Sequence, residues 1–290
     1  MPYNLFFSQI LAILTVLLWS SAYVFTKIAM QYYSSSSLAL LRCAIASICL
    51  GGVLIVQRKS FPGVASLPRF LISGAVGFAL YLLVFNKGSE ALNPTTSCII
   101  IATSPIMTAL LARVCFGEKL GGLRWVATGM AFCGILVMTL WNGVLLISEG
   151  IYWMLTAALF ISIHNILQRS LGKKFEPLIV TAYSFFAGAI MLTPFFNGAA
   201  EQFLNAPPTL MWLVIFLGAC PSALAYLCWA KALSLAPGTS NVSNYMFLTP
   251  FLALLLEYVV TRDLPGVPTF VGGGIIMTSL AVFLWVSRKA

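Results

Sequence analysis

The sequence predicts an all-α integral membrane protein, with ten transmembrane helices in two inverted five-helix repeats around a central cavity. Three observations carry that expectation. Of the 290 residues, 60% are hydrophobic and 8% are charged, whereas a soluble domain carries about 25% charged residues. The apolar residues fall into ten runs, each close to the roughly 20 residues that a membrane-crossing helix needs. Two stretches about 145 residues apart share one pattern of prolines, hydroxyl residues and acids.

The runs, read between charges and turn residues, are 8–30, 38–56, 70–86, 94–114, 124–142, 150–169, 177–196, 209–230, 238–260 and 268–287. The first overlaps the apolar stretch from Phe6 to Thr26. That stretch is too long for a signal-peptide core, with no basic segment before it and no small-residue cleavage site after it, so it reads as the first span. The connections are short, and no soluble domain or low-complexity linker interrupts them.

Lys and Arg set the expected orientation. With a cytoplasmic N-terminus, twelve fall on the inner side: Arg58, Lys59, Arg69, Arg113, Lys119, Arg124, Arg169, Lys173, Lys174, Lys231, Arg288 and Lys289. Only Lys87 and Arg262 fall outside, while Lys27 and Arg42 lie within runs. That bias places both termini in the cytoplasm, most simply at the inner membrane of a bacterium. The net charge of +9 is spread over the loops rather than gathered in one patch, which argues against nucleic acid as a partner. The seven cysteines include no CxxC pair and read as small apolar fillers rather than ligands.

The repeat is legible in two places. Residues 93–105 read NPTTSCIIIATSP, and 236–250 read APGTSNVSNYMFLTP. Thirteen residues after Pro105 stands Glu118, thirteen after Pro250 stands Asp263, and Gly129 and Gly274 keep the offset of 145. Trp19 to Lys27 align more weakly on Phe160 to Gln168, and Arg42 on Tyr183. The chain therefore divides at 145/146 into two copies, 1–145 and 146–290. An odd number of helices per copy inserts them in opposite directions, an arrangement that recurs in transporters.

Several segments resemble the EamA branch of the drug/metabolite transporter superfamily. They are LLWSSAYVFTK (Leu17 to Lys27), LLRCA around Arg42, SPIMTALLARVCFGEKL (Ser104 to Leu120) and TPFLALLLEYVVTRDL (Thr249 to Leu264), the last with Asp263 where the family usually has Glu. The resemblance covers nearly the whole chain. It implies two EamA repeats and a secondary, not ATP-driven, transporter of small metabolites, often amino acids or their relatives and frequently exported. The sequence independently lacks a GxxxxGK[ST] phosphate loop.

Ionisable groups inside a membrane are costly and each needs a reason. His164, the only histidine, lies deep in the sixth run. It either lines a substrate cavity, with or without carrying a proton, or is a neutral histidine bonded between helices. Tyr23, Asn241, Asn244 and Tyr245 are the other expected substrate contacts, with Trp19 and Tyr81 as apolar walls. For the amides the alternative is interhelical hydrogen bonding. Lys27 and Arg42 are expected near the outer surface, either attracting an anion at the mouth of the substrate path, snorkelling, or pairing with acids. Glu257 is expected to pair with Lys27, Arg42 or Arg262, to snorkel, or to accept protons. Pro105, Pro221 and Pro250 interrupt helices and read as static kinks or as gates.

Gly51 with Gly52, Gly129 with Gly134, and the run Gly272 to Gly274 are expected to let helices approach closely. No acid–base or metal-ligand constellation appears, so no enzyme, cofactor or metal is expected. The expected partners are a small-molecule substrate and the lipid bilayer. A channel-like facilitator of the same fold is the alternative. The residues leave the oligomeric state open, a monomer being compatible.

Overall fold

The computed structural model describes residues 2–117, 121–141, 149–235, 244–262 and 264–289. Among them every regular element is helical. Helices α1 (Pro2–Ala29) and α2 (Ser35–Val56) are continuous, and α2 is capped by the Ser34 hydroxyl, which accepts the Ser37 N–H. The third run comprises α3 (Leu67–Gly74), a π-helical turn (Ala75–Leu80) and α4 (Tyr81–Ala91). Then come α5 (Pro94–Ile101), α6 (Ser104–Phe116) and α7 (Gly122–Leu140). The second half holds α8 (Glu149–Leu171), α9 (Pro177–Met191), α10 (Phe196–Leu204) and α11 (Pro208–Ala219). It closes with a second π-turn (Cys220–Leu224), α12 (Ala225–Leu235), a 3₁₀ turn (Asn244–Leu248), α13 (Thr249–Thr261) and α14 (Val267–Lys289).

Proline explains most departures from straight helices. The expected single run 177–196 ends at Met191, and Thr193–Leu204 leaves it at 51°. Pro194 has no N–H for the Ile190 carbonyl, and the Thr193 hydroxyl takes that carbonyl at 2.7 Å instead. Residues 197–204, expected as loop, are helical. Pro105 and Pro250 each sit in the first turn of a new helix, where a missing N–H costs nothing. Pro221 lies in the second π-turn, and the carbonyl it frees, Leu217 O, accepts the Ser222 hydroxyl at 2.8 Å.

Six helical stretches are long and apolar enough to cross a membrane, or seven if Pro177–Met191 and Thr193–Leu204 form one bent span. Gly122–Met138, Thr249–Thr261 and Val267–Phe283 are shorter apolar helices. The outer surface matches an apolar solvent: Ile48, Ile55, Val56 and Val114 are each 75% or more exposed. Such a surface would be insoluble in water, and the chain is a multi-pass membrane protein.

The internal repeat recurs in the geometry. The π-turns begin at Ala75 and Cys220, α6 and α13 at Ser104 and Thr249, and α7 and α14 at Gly122 and Val267, each pair 145 residues apart. Gly117 and Arg262, also 145 apart, both end their helices in the left-handed region, at φ 68° and 61°. The helix contacts come in matching couples. α1 packs on α12 and α13 as α8 packs on α4 and α6, and α3 packs on α9 as α11 packs on α2. The like pairs α2·α9 and α7·α14 also meet. Each copy thus completes the core of the other, as where Phe78 stacks on Phe185 at 3.6 Å between ring centroids.

Small residues decide how close the helices come. A Cβ on Gly74 would fall 2.2 Å from the Ser184 carbonyl, so α3 and α9 meet backbone to backbone. Gly134 and Gly272 do the same for α7 and α14. Gly52, Gly129 and Gly274, expected to serve the same purpose, have nothing within 4 Å of a built Cβ. They face outward, since only one side of each helix meets a neighbour.

Candidate functional site

The two π-turns do parallel work. Tyr81 and Tyr226 are 145 residues apart, and each lies just beyond its π-turn, at the head of α4 and near the head of α12. Gly77 and Ser222, the same distance apart, lie inside the turns. A π-turn inserts one extra residue into a helix and re-aims the side chains that follow.

Arg42 of α2 stands between these elements and is 6% exposed. Its Nε and Nη2 donate to Ser222 Oγ at 3.4 and 3.2 Å, and Nη1 donates to Thr26 Oγ1 at 3.3 Å. Tyr81, Tyr226 and Tyr23 lie within electrostatic reach of the guanidinium. Arg42 has no ion-pair partner among the described residues. On α1, Trp19, Tyr23 and Thr26 share one face at helical spacing. Trp19 packs against Tyr226 at 5.6 Å and Trp229 at 5.3 Å, and Tyr23 packs edge-on to Phe85 at 5.5 Å. Tyr81 reaches Phe85 from the other side, also at 5.5 Å. Tyr23 and Tyr81 therefore lie near one buried cation, and Trp19 reaches that group through Tyr226.

His164 belongs to an adjoining cluster. It is 1% exposed, and its Nδ1 lies 3.1 Å from the Ser73 carbonyl and 3.2 Å from Ser73 Oγ. A carbonyl only accepts, so the geometry puts the proton on Nδ1. Ser184 donates to Ser73 Oγ at 3.0 Å, tying α8, α3 and α9 together. Nε2 is buried without a hydrogen-bond partner. The imidazole packs on Phe78 at 4.9 Å, and Phe78 lies 5.9 Å from Tyr226. His164 is thus bonded between helices and, among the described residues, reaches the arginine cluster through aromatic rings.

Lys27 and Arg42, expected together near the outer surface, have different partners. Successive residues on a helix point about 100° apart, so Thr26 faces Arg42 while Lys27 turns toward the end of α4. There its Nζ donates to the carbonyls of Ser89 and Glu90 at 3.0 and 2.7 Å. A cation at unpaired C-terminal carbonyls is favourable electrostatically. Glu257 is 2% exposed and does not snorkel. It accepts the Thr95 N–H at 2.8 Å and the Thr95 hydroxyl at 2.5 Å, and it lies within electrostatic reach of Lys27. Its charge faces the positive end of α5. Arg262 lies over the Tyr258 ring at 5.7 Å.

Asn241 lies outside the described residues, as do Glu118, Asp263 and the side chain of Asn244. Tyr245 packs with Trp229 around Ala12 and Ala232, beyond Trp19 rather than beside His164. No group of three or more metal-ligating side chains occurs among the described residues. Sequence reasoning missed Thr26, Ser73, Gly77, Ser184 and Ser222. The signal for Ser222 was its place one residue after Pro221, and for Gly77 its 145-residue offset from Ser222.

Residues 6–140 and 148–285 each match the EamA-like transporter family. A probable terminal-alkyne amino-acid exporter of Streptantibioticus cattleyicolor is 27% identical over 280 residues, 96% of this chain and 92% of that one. An uncharacterized transporter of Bacillus subtilis, YdfC, is 26% identical over 91% of this chain and 88% of its own. An S-adenosylmethionine uptake transporter of Rickettsia conorii is 24% identical over 68% of this chain and 65% of its own. A crystal structure shares the fold with a TM-score of 0.63 at 17% identity, over 97% of this chain and 98% of that one. With both halves matched, the chain belongs to the EamA-like transporter family.

Proposed function

We propose that this transporter is secondary, not ATP-driven, and exports small amphipathic metabolites, amino acids or their relatives, by alternating access. The observation that carries this reading is the buried Arg42, bonded to Thr26 of one copy and Ser222 of the other, with Tyr23, Tyr81 and Tyr226 within electrostatic reach. A few polar groups among aromatic walls make a usual small-molecule site. A site built from both copies can be exposed to either side by tilting one copy against the other. The likeness to a named amino-acid exporter supports both the substrate class and the outward direction.

In this reading ten spans form two inverted repeats, 1–145 and 146–290, around a central cavity, in the inner membrane of a bacterium with both termini cytoplasmic. The spans are α1, α2, α3 with α4, α5 with α6, α7, α8, α9, α11 with α12, the 3₁₀ turn with α13, and α14. The helix breaks at Pro105 and Pro250 are the hinges, and Pro221 shapes the wall. The substrate touches Trp19, Tyr23 and Tyr81, with His164, Asn241, Asn244 and Tyr245 closing the path, while Lys27 and Glu257 hold the outer end together. The test is exchange in proteoliposomes loaded with amino acids, nucleotides, sugars or organic cations. Saturable amino-acid counterflow is expected. Flux linear in concentration without counterflow would favour the channel-like alternative, and exchange confined to the other classes would overturn the substrate assignment.

A further inference from the structure

Arg42 presents an electrostatic problem that the protein does not solve on its own. A buried charge is expensive unless it is paired and fully hydrogen-bonded. The guanidinium has five N–H donors, but it makes three bonds to two neutral hydroxyls, at 3.2 to 3.4 Å. At least two N–H groups are therefore left without an acceptor. Both hydroxyls are weak partners. Ser222 has already committed its proton to the Leu217 carbonyl, so its lone pairs face Arg42. The buried acid among the described residues, Glu257, is held by Thr95, and Glu90 accepts from Ser35. What this cation lacks is an acceptor with two oxygens and a negative charge.

We propose that Arg42 is the receptor for a substrate carboxylate, held by the guanidinium fork, with the apolar part of the substrate against Trp19, Tyr81 and Tyr226. The proposal rests on the transport reading above and narrows its substrates to carboxylates. A planar guanidinium binds a carboxylate through two parallel hydrogen bonds, which fixes orientation as well as supplying attraction. Tyr81 and Tyr226, within electrostatic reach of Arg42, and Trp19, packed on Tyr226, suit an aliphatic or aromatic substrate body. At 6% exposure, Arg42 is reached only when the helices around it part, as alternating access requires. The two π-turns border it, and π-turns are places where a helix wall re-forms readily.

The experiment is thermal melting of the purified full chain in detergent, as wild type, Arg42→Met and Arg42→Lys. The probes are acetate, pentanoate and 3-phenylpropionate, the amines and amides of the same carbon skeletons, and chloride and inorganic phosphate alone. The longer carboxylates should raise the wild-type melting temperature, with no comparable effect from the matched amines and amides or the inorganic anions. Arg42→Met removes an unpaired buried charge, so without ligand it should melt at or above wild type while responding to carboxylates at least tenfold more weakly. A purely structural arginine predicts the opposite, a lower melting temperature. Arg42→Lys keeps the charge but loses the fork, and should respond weakly even if Arg42→Met does not fold.

An undiminished carboxylate response in either variant overturns the proposal. So does equal stabilisation of wild type by amines, amides, chloride or phosphate, or wild-type indifference to every carboxylate. Carboxylate binding of the expected pattern with no carboxylate flux in proteoliposomes would instead sink the transport reading and leave the receptor standing. Amino-acid flux that Arg42→Met leaves unchanged would do the reverse.

Discussion

The imidazole of His164 occupies the space that a methyl group on Gly77 would need. A Cβ built on Gly77 falls 2.0 Å from Nδ1 and 2.3 Å from Cγ. The first π-turn and α8 therefore meet through a glycine on one side and a histidine on the other. Gly77→Ala should lower stability by about 1–3 kcal/mol, the usual cost of overpacking. His164→Ala opens that space, so the double variant should be more stable than the two single losses predict, with a coupling of about 0.5–3 kcal/mol. Melting of the four proteins in detergent measures it; additive losses would mean the side chains do not meet.

Glu257 acts across the fold as a cap for α5. Glu257→Ala leaves the Thr95 N–H and hydroxyl buried without an acceptor, which should cost about 1–3 kcal/mol. Glu257→Gln retains one acceptor oxygen and should cost roughly 1 kcal/mol. If the two variants melt alike, the charge rather than the acceptor carries the interaction.

The three glycines at 272 to 274 should behave differently. A Cβ on Gly272 would fall 2.5 Å from the Gly134 carbonyl and 2.4 Å from Met138 Cγ. Backbone cannot step aside, so Gly272→Ala should destabilise by about 1–3 kcal/mol or more. Gly274 meets nothing within 4 Å, so Gly274→Ala should be neutral, or stabilise by roughly 0.5–1 kcal/mol through helix propensity. Detergent melting of the two variants separates these outcomes.

Orientation is open to a direct check. Glu149, the first residue of α8, and Lys173, two residues beyond its other end, are both exposed. With cytoplasmic termini, an impermeant thiol reagent added outside intact cells should label Glu149→Cys and not Lys173→Cys, in a background without the seven native cysteines. The reverse pattern would invert the topology.

Composition and patterning alone announced a helical membrane protein, because 8% charge cannot clothe a soluble surface. The Pro-to-acid segments announced the repeat and the family, since helix starts and stops depend on local chemistry such as Pro105, Pro250 and Gly117. The roles of the polar residues were not legible in the same way. Lys27 and Arg42 look alike as cations near helix ends. About 100° of rotation per residue decides that one caps α4 while the other is buried, and that angle matters only once neighbouring helices are in place. Glu257 found a helix end as well as a cation, because α13 packs on the start of α5. Gly272 and Gly274 are the same residue in one run, yet only Gly272 faces α7. Local chemistry wrote the helices and their breaks; which side chains share a buried space was decided by how the two copies pack, because burial and hydrogen-bond partners are properties of the assembled chain.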